Sequence, residues 1–339
     1  MSAAATPPRN HLRTLQDATT IQSRTPRGAG LSQRLRSAIE FRYYAIFTVL
    51  ITYGLIVLGG TVRVTDSGTA CPDWPLCHGQ VIPPADTKVW IEFSHRLVAS
   101  IAGLIILGLV FWIWRRYWQN ALLKRAAIFA VAVLALQVIV GGVTVGTETA
   151  AGIVAIHLTI ALALLTTLIV IAVAAQDPAH VDIGKLRGIA GRMPRLTLST
   201  LAGLFSLIVV GAFVSQMDAG LAYPDWPLFD GSVTSSGSEA GDIHYAHRVI
   251  AAVVGILFIF LTARILRTER NSLVLSATAL AFALFTAQVI VGASNIWLDL
   301  ATSVRIVHLA LASALWAVLV FALTWSHACS QREAAGITS

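Results

Sequence analysis

Cys71-Pro-Asp-Trp-Pro-Leu-Cys77 returns 152 residues later as Tyr223-Pro-Asp-Trp-Pro-Leu-Phe229. The register holds outward from this pair. Asp66 and Gly68 match Asp218 and Gly220, Gly79 matches Gly231, and Phe93-Ser-His95-Arg96 matches Tyr245-Ala-His247-Arg248, all at the same offset. Farther on, Gln137-Val-Ile-Val-Gly141 matches Gln288-Val-Ile-Val-Gly292 and His157 matches His308, at an offset of 151. One residue of slippage over so long a register is far less than chance leaves. The chain is two copies of one unit.

Each copy is made of membrane spans. The 339 residues are 56% hydrophobic and 12% charged, about half the charged share of a soluble domain. Eight apolar stretches, at 43–63, 92–114, 126–146, 152–174, 197–217, 244–264, 272–293 and 304–325, each reach the roughly 20 residues that a span needs. The expected fold class is therefore an all-α integral membrane protein, with eight transmembrane helices as two parallel-repeat four-helix bundles. Four spans per copy give both copies the same orientation, so an axis along the membrane normal relates them. A disordered basic tail (1–42), an N-terminal half (43–175), a linker (176–196) holding Pro178 and Pro194, a C-terminal half (197–327) and a short tail (328–339) complete the expected layout. A soluble enzyme is excluded.

The formal charge of +7 does not indicate nucleic acid, because its distribution follows the membrane. If the N-terminus is cytoplasmic, 19 of the 24 Lys and Arg fall on that side and five (Arg63, Lys88, Arg96, Arg248 and Arg305) on the other. The positive-inside rule then puts both termini in the cytoplasm, in a bacterial plasma membrane crossed several times. An Arg-, Ser- and Thr-rich tail poor in acids also describes a mitochondrial transit peptide, which would place the chain in the mitochondrial inner membrane.

Spans 2, 4, 6 and 8 run in one direction and carry His95, His157, His247 and His308 three to five residues past their starts. At 1.5 Å per residue the four share one depth to within a helical turn. A haem iron with two axial imidazoles needs two histidines on separate elements at a common level, and this layout meets the need twice. A lone intramembrane His is often a hydrogen-bonded packing residue, but ionisable groups in spans are costly and tend to be functional. Zinc lacks enough carboxylate or Cys ligands at that depth for two tetrahedral sites. His11, His78, His180 and His327 fall in tails or loops and read as solvated. Arg96 and Arg248 follow two of the four directly, placed either to pair with haem propionates or to snorkel towards headgroups. Gln137 and Gln288, with the glycines after them, read as interhelical packing without chemistry.

The copies differ in two places. Glu92 stands three residues before His95, on nearly the same helix face, and its counterpart is His244. By position it reads as an interfacial residue at a helix N-terminus; as a carboxylate beside one histidine pair alone, it reads as a catalytic group. Cys71 and Cys77 lie in the first long loop, where their spacing permits a small disulfide ring, and Tyr223 and Phe229 replace them in the second. Cys329 lies on the expected cytoplasmic side.

Taken together, Glu-x-x-His in span 2, His in spans 4, 6 and 8, and the Cys-Pro-Asp-Trp-Pro-Leu-Cys loop resemble the haem A synthase family over roughly 43–325. The resemblance implies that His247 and His308 hold a haem b cofactor, and that His95 and His157 receive haem O as substrate. It implies oxidation of a porphyrin methyl to a formyl group by two hydroxylations and loss of water, with Glu92 as the essential carboxylate. Cys71 and Cys77 match the family's cysteine pair. Some relatives have a second pair in the other loop, absent here. The implied partners are a haem O synthase (a farnesyltransferase), oxidase-assembly factors, an electron donor the sequence does not name, the lipid bilayer and a second copy of the chain in a homo-oligomer. Two other classes compete. A bis-histidine dihaem electron-transfer cytochrome has no need of Glu92, and a parallel-repeat transporter predicts broken helices, of which the sequence has none.

Overall fold

In the computed structural model, described over residues 27–176 and 195–334, eight helices follow one another. They are α1 (Arg27–Val64), α2 (Thr87–Arg116), α3 (Ala121–Gly146), α4 (Ala151–Ala174), α5 (Arg195–Gln216), α6 (Glu239–Thr268), α7 (Ser272–Trp297) and α8 (Thr302–Ala334). All eight are long and apolar enough to cross a bilayer. Helices are the form such stretches must take there, because lipid offers no partner to a backbone amide. Leu50, Leu104, Phe111, Ile139 and Phe260 are exposed, as side chains facing acyl chains are.

Several boundaries move from their expected places. Helix α2 begins at Thr87 because the Asp86 carboxylate accepts from the Lys88 and Val89 N–H groups. Ser238 caps α6 through the Gly241 N–H. Both starts lie five residues before the apolar stretches at 92 and 244, since capping groups precede polar first turns that hydropathy passes over. Helix α1 reaches back to Arg27 and α8 on to Ala334, so parts of the expected tails are helical. Residues 1–26, 177–194 and 335–339 lie outside the described residues, and with them the rest of both tails, most of the linker, His11 and His180.

The chain divides into two units, Met1–Glu40 and Phe41–Ser339. The first contains the beginning of α1. Within the second, α3 packs on α4, α5 on α6 and α7 on α8, while α4 also touches α5 and α8. Helix α4 is central: 44% of its most apolar stretch is buried, against 17–28% for the other seven. Leu162, Leu165, Leu168 and Ile171 are fully buried, and Trp316 Nε1 of α8 donates to Thr166 Oγ1 of α4 (3.0 Å). Tyr44 and Tyr53 of α1 donate to the carbonyls of Ile105 in α2 and Ala310 in α8. Arg63, near the end of α1, donates to the Asp66 and Asp218 carboxylates and to the Ser215 carbonyl (2.7 Å). It thereby joins the matching ends of α1 and α5.

Local geometry repeats as the sequence does. Trp74–Pro75 and Trp226–Pro227 are both cis, and isolated bridges join Cys77 to Gln80 and Phe229 to Ser232. Asp66 and Asp218 both adopt φ 49°.

Candidate functional site

The four span histidines start from helices of matched register. His95 and His247 lie eight residues into α2 and α6, and His157 and His308 six residues into α4 and α8. A difference of two residues is about 3 Å along the axis. Each ring packs on a glycine of the preceding helix. A Cβ built on Gly59, Gly141, Gly211 or Gly292 would fall 3.0, 3.2, 2.9 or 3.1 Å from the Cε1 of His95, His157, His247 or His308 respectively. Only hydrogen in place of a side chain lets the imidazole come this close to the neighbouring backbone. Gly59 and Gly211 went unread in the sequence, although they obey the offset of 152 that fixes the rest.

All four Nδ1 atoms are buried without a hydrogen-bond partner, a state that His244 Nδ1 shares. Each residue is nonetheless partly exposed. The structure thus sets His95 and His157 on α2 and α4, and His247 and His308 on α6 and α8, each ring against a glycine of the preceding helix. Imidazoles on separate helices, seated at one level and partly exposed, fit axial ligation of a haem iron. Among the described residues no group of three or more His, Cys, Asp or Glu side chains converges as a simple metal site would need.

Gln137 has a larger part than interhelical packing. Its Nε2 lies 3.1 Å from His157 Nε2, one turn along α3 from the glycine that seats the same ring.

Glu92 is 3% exposed and sits in the second turn of α2, not at its N-terminus. Its Oε2 accepts from the Cys71 N–H (2.8 Å), and its Oε1 accepts from Arg96. Cys71 and Cys77 form a disulfide with Cα atoms 4.8 Å apart. Arg96 continues the same network, donating to the carbonyls of Asp73 (2.6 Å), Leu76 (2.7 Å) and Cys71 (3.0 Å). Arg248 does the same at Asp225, Leu228 and Tyr223, and its Nε donates to His244 Nε2 at 3.1 Å. Four of the five N–H donors of each guanidinium are used in this way. Both arginines therefore clamp a loop onto a helix, contacts that neither propionate pairing nor snorkelling towards headgroups called for.

The loops close by different means. In the first the disulfide draws the ends together. In the second the Tyr223 and Phe229 rings stand in its place, edge to face with centroids 5.2 Å apart, and Arg248 lies over both. Within each loop an aspartate gathers backbone donors. Asp73 accepts from the His78 and Gly79 N–H groups, and Asp225 from those of Asp230 and Gly231. Charge-assisted bonds of this kind favour the ionised carboxylate. The Gly79 amide above all holds Asp73 below the usual carboxylate range, and the Asp230 amide does so for Asp225. His78, expected to be simply solvated, places its Nε2 2.9 Å from the Ala70 carbonyl. Trp74, at the tip of the first loop, reaches α3 at Gly142, next to the seat of His157. Cys329 sits at the other end of the molecule, near Asn271 Nδ2 at 3.5 Å.

A family model described as "Cytochrome oxidase assembly protein", COX15-CtaA, matches residues 42–320. The chain is 32% identical over 297 residues to the heme A synthase of Lysinibacillus sphaericus, covering 83% of this chain and 94% of the relative. It is 32% identical over 292 residues to that of Staphylococcus aureus (82% and 91%). It is also 28% identical over 287 residues to that of Alkalihalophilus pseudofirmus (81% and 95%). The match runs from α1 through α8 and takes in both loops and all four histidines, and so the chain belongs to the COX15-CtaA family of cytochrome oxidase assembly proteins.

Proposed function

We propose that the chain is a haem A synthase, a multi-pass membrane enzyme that oxidises one porphyrin methyl of haem O to a formyl group. Haem O is the substrate at His95 and His157, and a resident haem b belongs at His247 and His308. The observation that carries this reading is a duplicated imidazole pair with a buried carboxylate, Glu92, beside one pair alone. A simple electron carrier has no use for that difference, and the relatives named heme A synthase point the same way.

The reaction places two demands on this chain. Each of two hydroxylations puts one oxygen on the methyl carbon and withdraws two electrons from it, and loss of water from the resulting geminal diol leaves the formyl group. Protons must leave the carbon, and positive character there must be stabilised. Glu92, one turn from His95, is suited to both tasks. Arg96 and the Cys71 N–H hold its two oxygens, so the carboxylate is oriented before substrate arrives. When bound, haem b supplies a one-electron relay, and an external redox partner exchanges the electrons.

The halves 43–175 and 197–327 divide this labour, the first for substrate and the second for cofactor. Charge asymmetry supports cytoplasmic termini, with the Cys71–Cys77 loop on the oxidising side. The bacterial sources of the relatives support a bacterial cell membrane. A haem O synthase upstream and oxidase-assembly factors downstream are the partners this chemistry requires. Chromatography of haems extracted from cells that make haem O tests the assignment. Haem A should appear when the chain is expressed, and a profile holding haem B and unchanged haem O would sink it.

A further inference from the structure

We infer that Gln137 occupies the iron-binding nitrogen of His157 when no substrate is there, so that haem enters and leaves the first-half site by exchange with a protein amide. This rests on the substrate assignment proposed above.

Gln137 and Gly141 are four residues apart on α3 and so share a face. Between them they hold the His157 ring, with Cε1 against Gly141 and Nε2 3.1 Å from the Gln137 Nε2. Donation from the amide uses the Nε2 lone pair and leaves the ring proton on Nδ1. That lone pair is the one an iron needs, because an imidazole can give a given nitrogen to a proton donor or to a metal, not to both. The other end of the amide has no competing attachment: Gln137 Oε1 is buried without a partner.

The second half supplies the comparison. Gln288 and Gly292 stand in the same relation on α7, and Gly292 seats His308 as Gly141 seats His157. Yet Gln288 makes no hydrogen bond to His308 among the described residues, and its Oε1 is likewise buried without a partner. The same residue in the same register thus engages the imidazole in one half and leaves it alone in the other. A substrate must be released after reaction and a cofactor must stay, and this is the half in which exchange is required. Haem bound at His157 leaves a buried amide without its partner, a cost that weakens this site relative to the other.

The test uses purified full-length protein loaded with haem O, with haem b retention at His247 and His308 as the measure of correct folding. Gln137→Leu removes the competing amide, and Gln137→Asn keeps an amide too short to reach the ring. From both, haem O should pass to an excess of a soluble haem scavenger about fivefold more slowly than from the unaltered protein, the scale of one lost hydrogen bond. Gln288→Leu should leave that rate unchanged. Release as fast as from the unaltered protein overturns the inference, and so does equal slowing in Gln288→Leu. Loss of haem b from both Gln137 variants overturns it too, because the residue is then needed for folding. Failure of the unaltered protein to take up haem O is a distinct result that removes the functional assignment beneath.

Discussion

Replacing Gly211 with alanine should cost the protein its haem b. The added methyl would fall 2.9 Å from His247 Cε1 and 3.3 Å from its Nδ1, whereas carbon atoms rest about 3.5–4.0 Å apart. The ring must therefore retreat by roughly 0.6–1 Å, on the order of the misfit that overpacking a core imposes, about 1–3 kcal/mol. With about 1.4 kcal/mol per factor of ten, haem b affinity falls about five- to a hundredfold. Helix propensity works in the other direction, since alanine is favoured over glycine inside a helix by roughly 0.5–1 kcal/mol. Any loss is thus assignable to the clash. Gly54→Ala is the control, because a Cβ there meets nothing within 4 Å. Haem per protein and the low-spin absorption spectrum, measured on both variants purified in the same detergent, decide the matter. If Gly211→Ala keeps a full complement of haem b with an unshifted spectrum, the glycine is not a ligand seat.

His247→Ala or His308→Ala should abolish the low-spin haem b spectrum, while His95→Ala or His157→Ala should disturb mainly the bound substrate; an unchanged spectrum in the second-half variants refutes the division of labour. Glu92→Gln keeps the shape that meets Cys71 but loses the negative charge, so haem A formation should fall by about a hundredfold or more, the scale of a lost general base, with haem b retained. Near-normal haem A from that variant would leave Glu92 as a loop anchor alone. Cys71 and Cys77 should resist alkylation until a reductant is added, and prompt labelling in the untreated protein would contradict the disulfide. Asp73 has its folded-state pKa lowered by backbone amides, so its contribution is full above the ordinary carboxylate pKa and disappears as pH falls through the lower folded value. The loop should therefore resist protease at neutral pH and down through the ordinary carboxylate range, while Asp73→Asn should be cleaved at neutral pH. Equal resistance in the variant would remove Asp73 from the loop's support.

The spans, the paired histidines and the asymmetry at Glu92 were legible because each obeys a rule that operates along the chain. Hydropathy marks a helix wherever it must meet lipid, and the offset of 152 ties His95 to His247 whatever the folding between them. What escaped the sequence depends on contacts across it. Gly59 meets a ring 36 positions away, and nothing in its local neighbourhood distinguishes it from Gly60. Arg96 and Arg248 lie where a propionate partner would, but the carbonyls they hold belong to residues 20 to 25 positions earlier. The direction of a long side chain is not a sequence property. Helix starts fall earlier for a simpler reason: Lys88, like Glu239 and Asp242, lowers the hydropathy of turns that Asp86 and Ser238 nevertheless cap.

Tyr223 and Phe229 need nothing but folding to meet, whereas Cys71 and Cys77 must first give up two electrons to an oxidant. The two halves consequently have different maturation schedules. The second loop can close as soon as its helices are inserted, even in a cell short of thiol-oxidising capacity. The first loop waits for that oxidation, and with it the full closure around the Cys71 amide that meets Glu92.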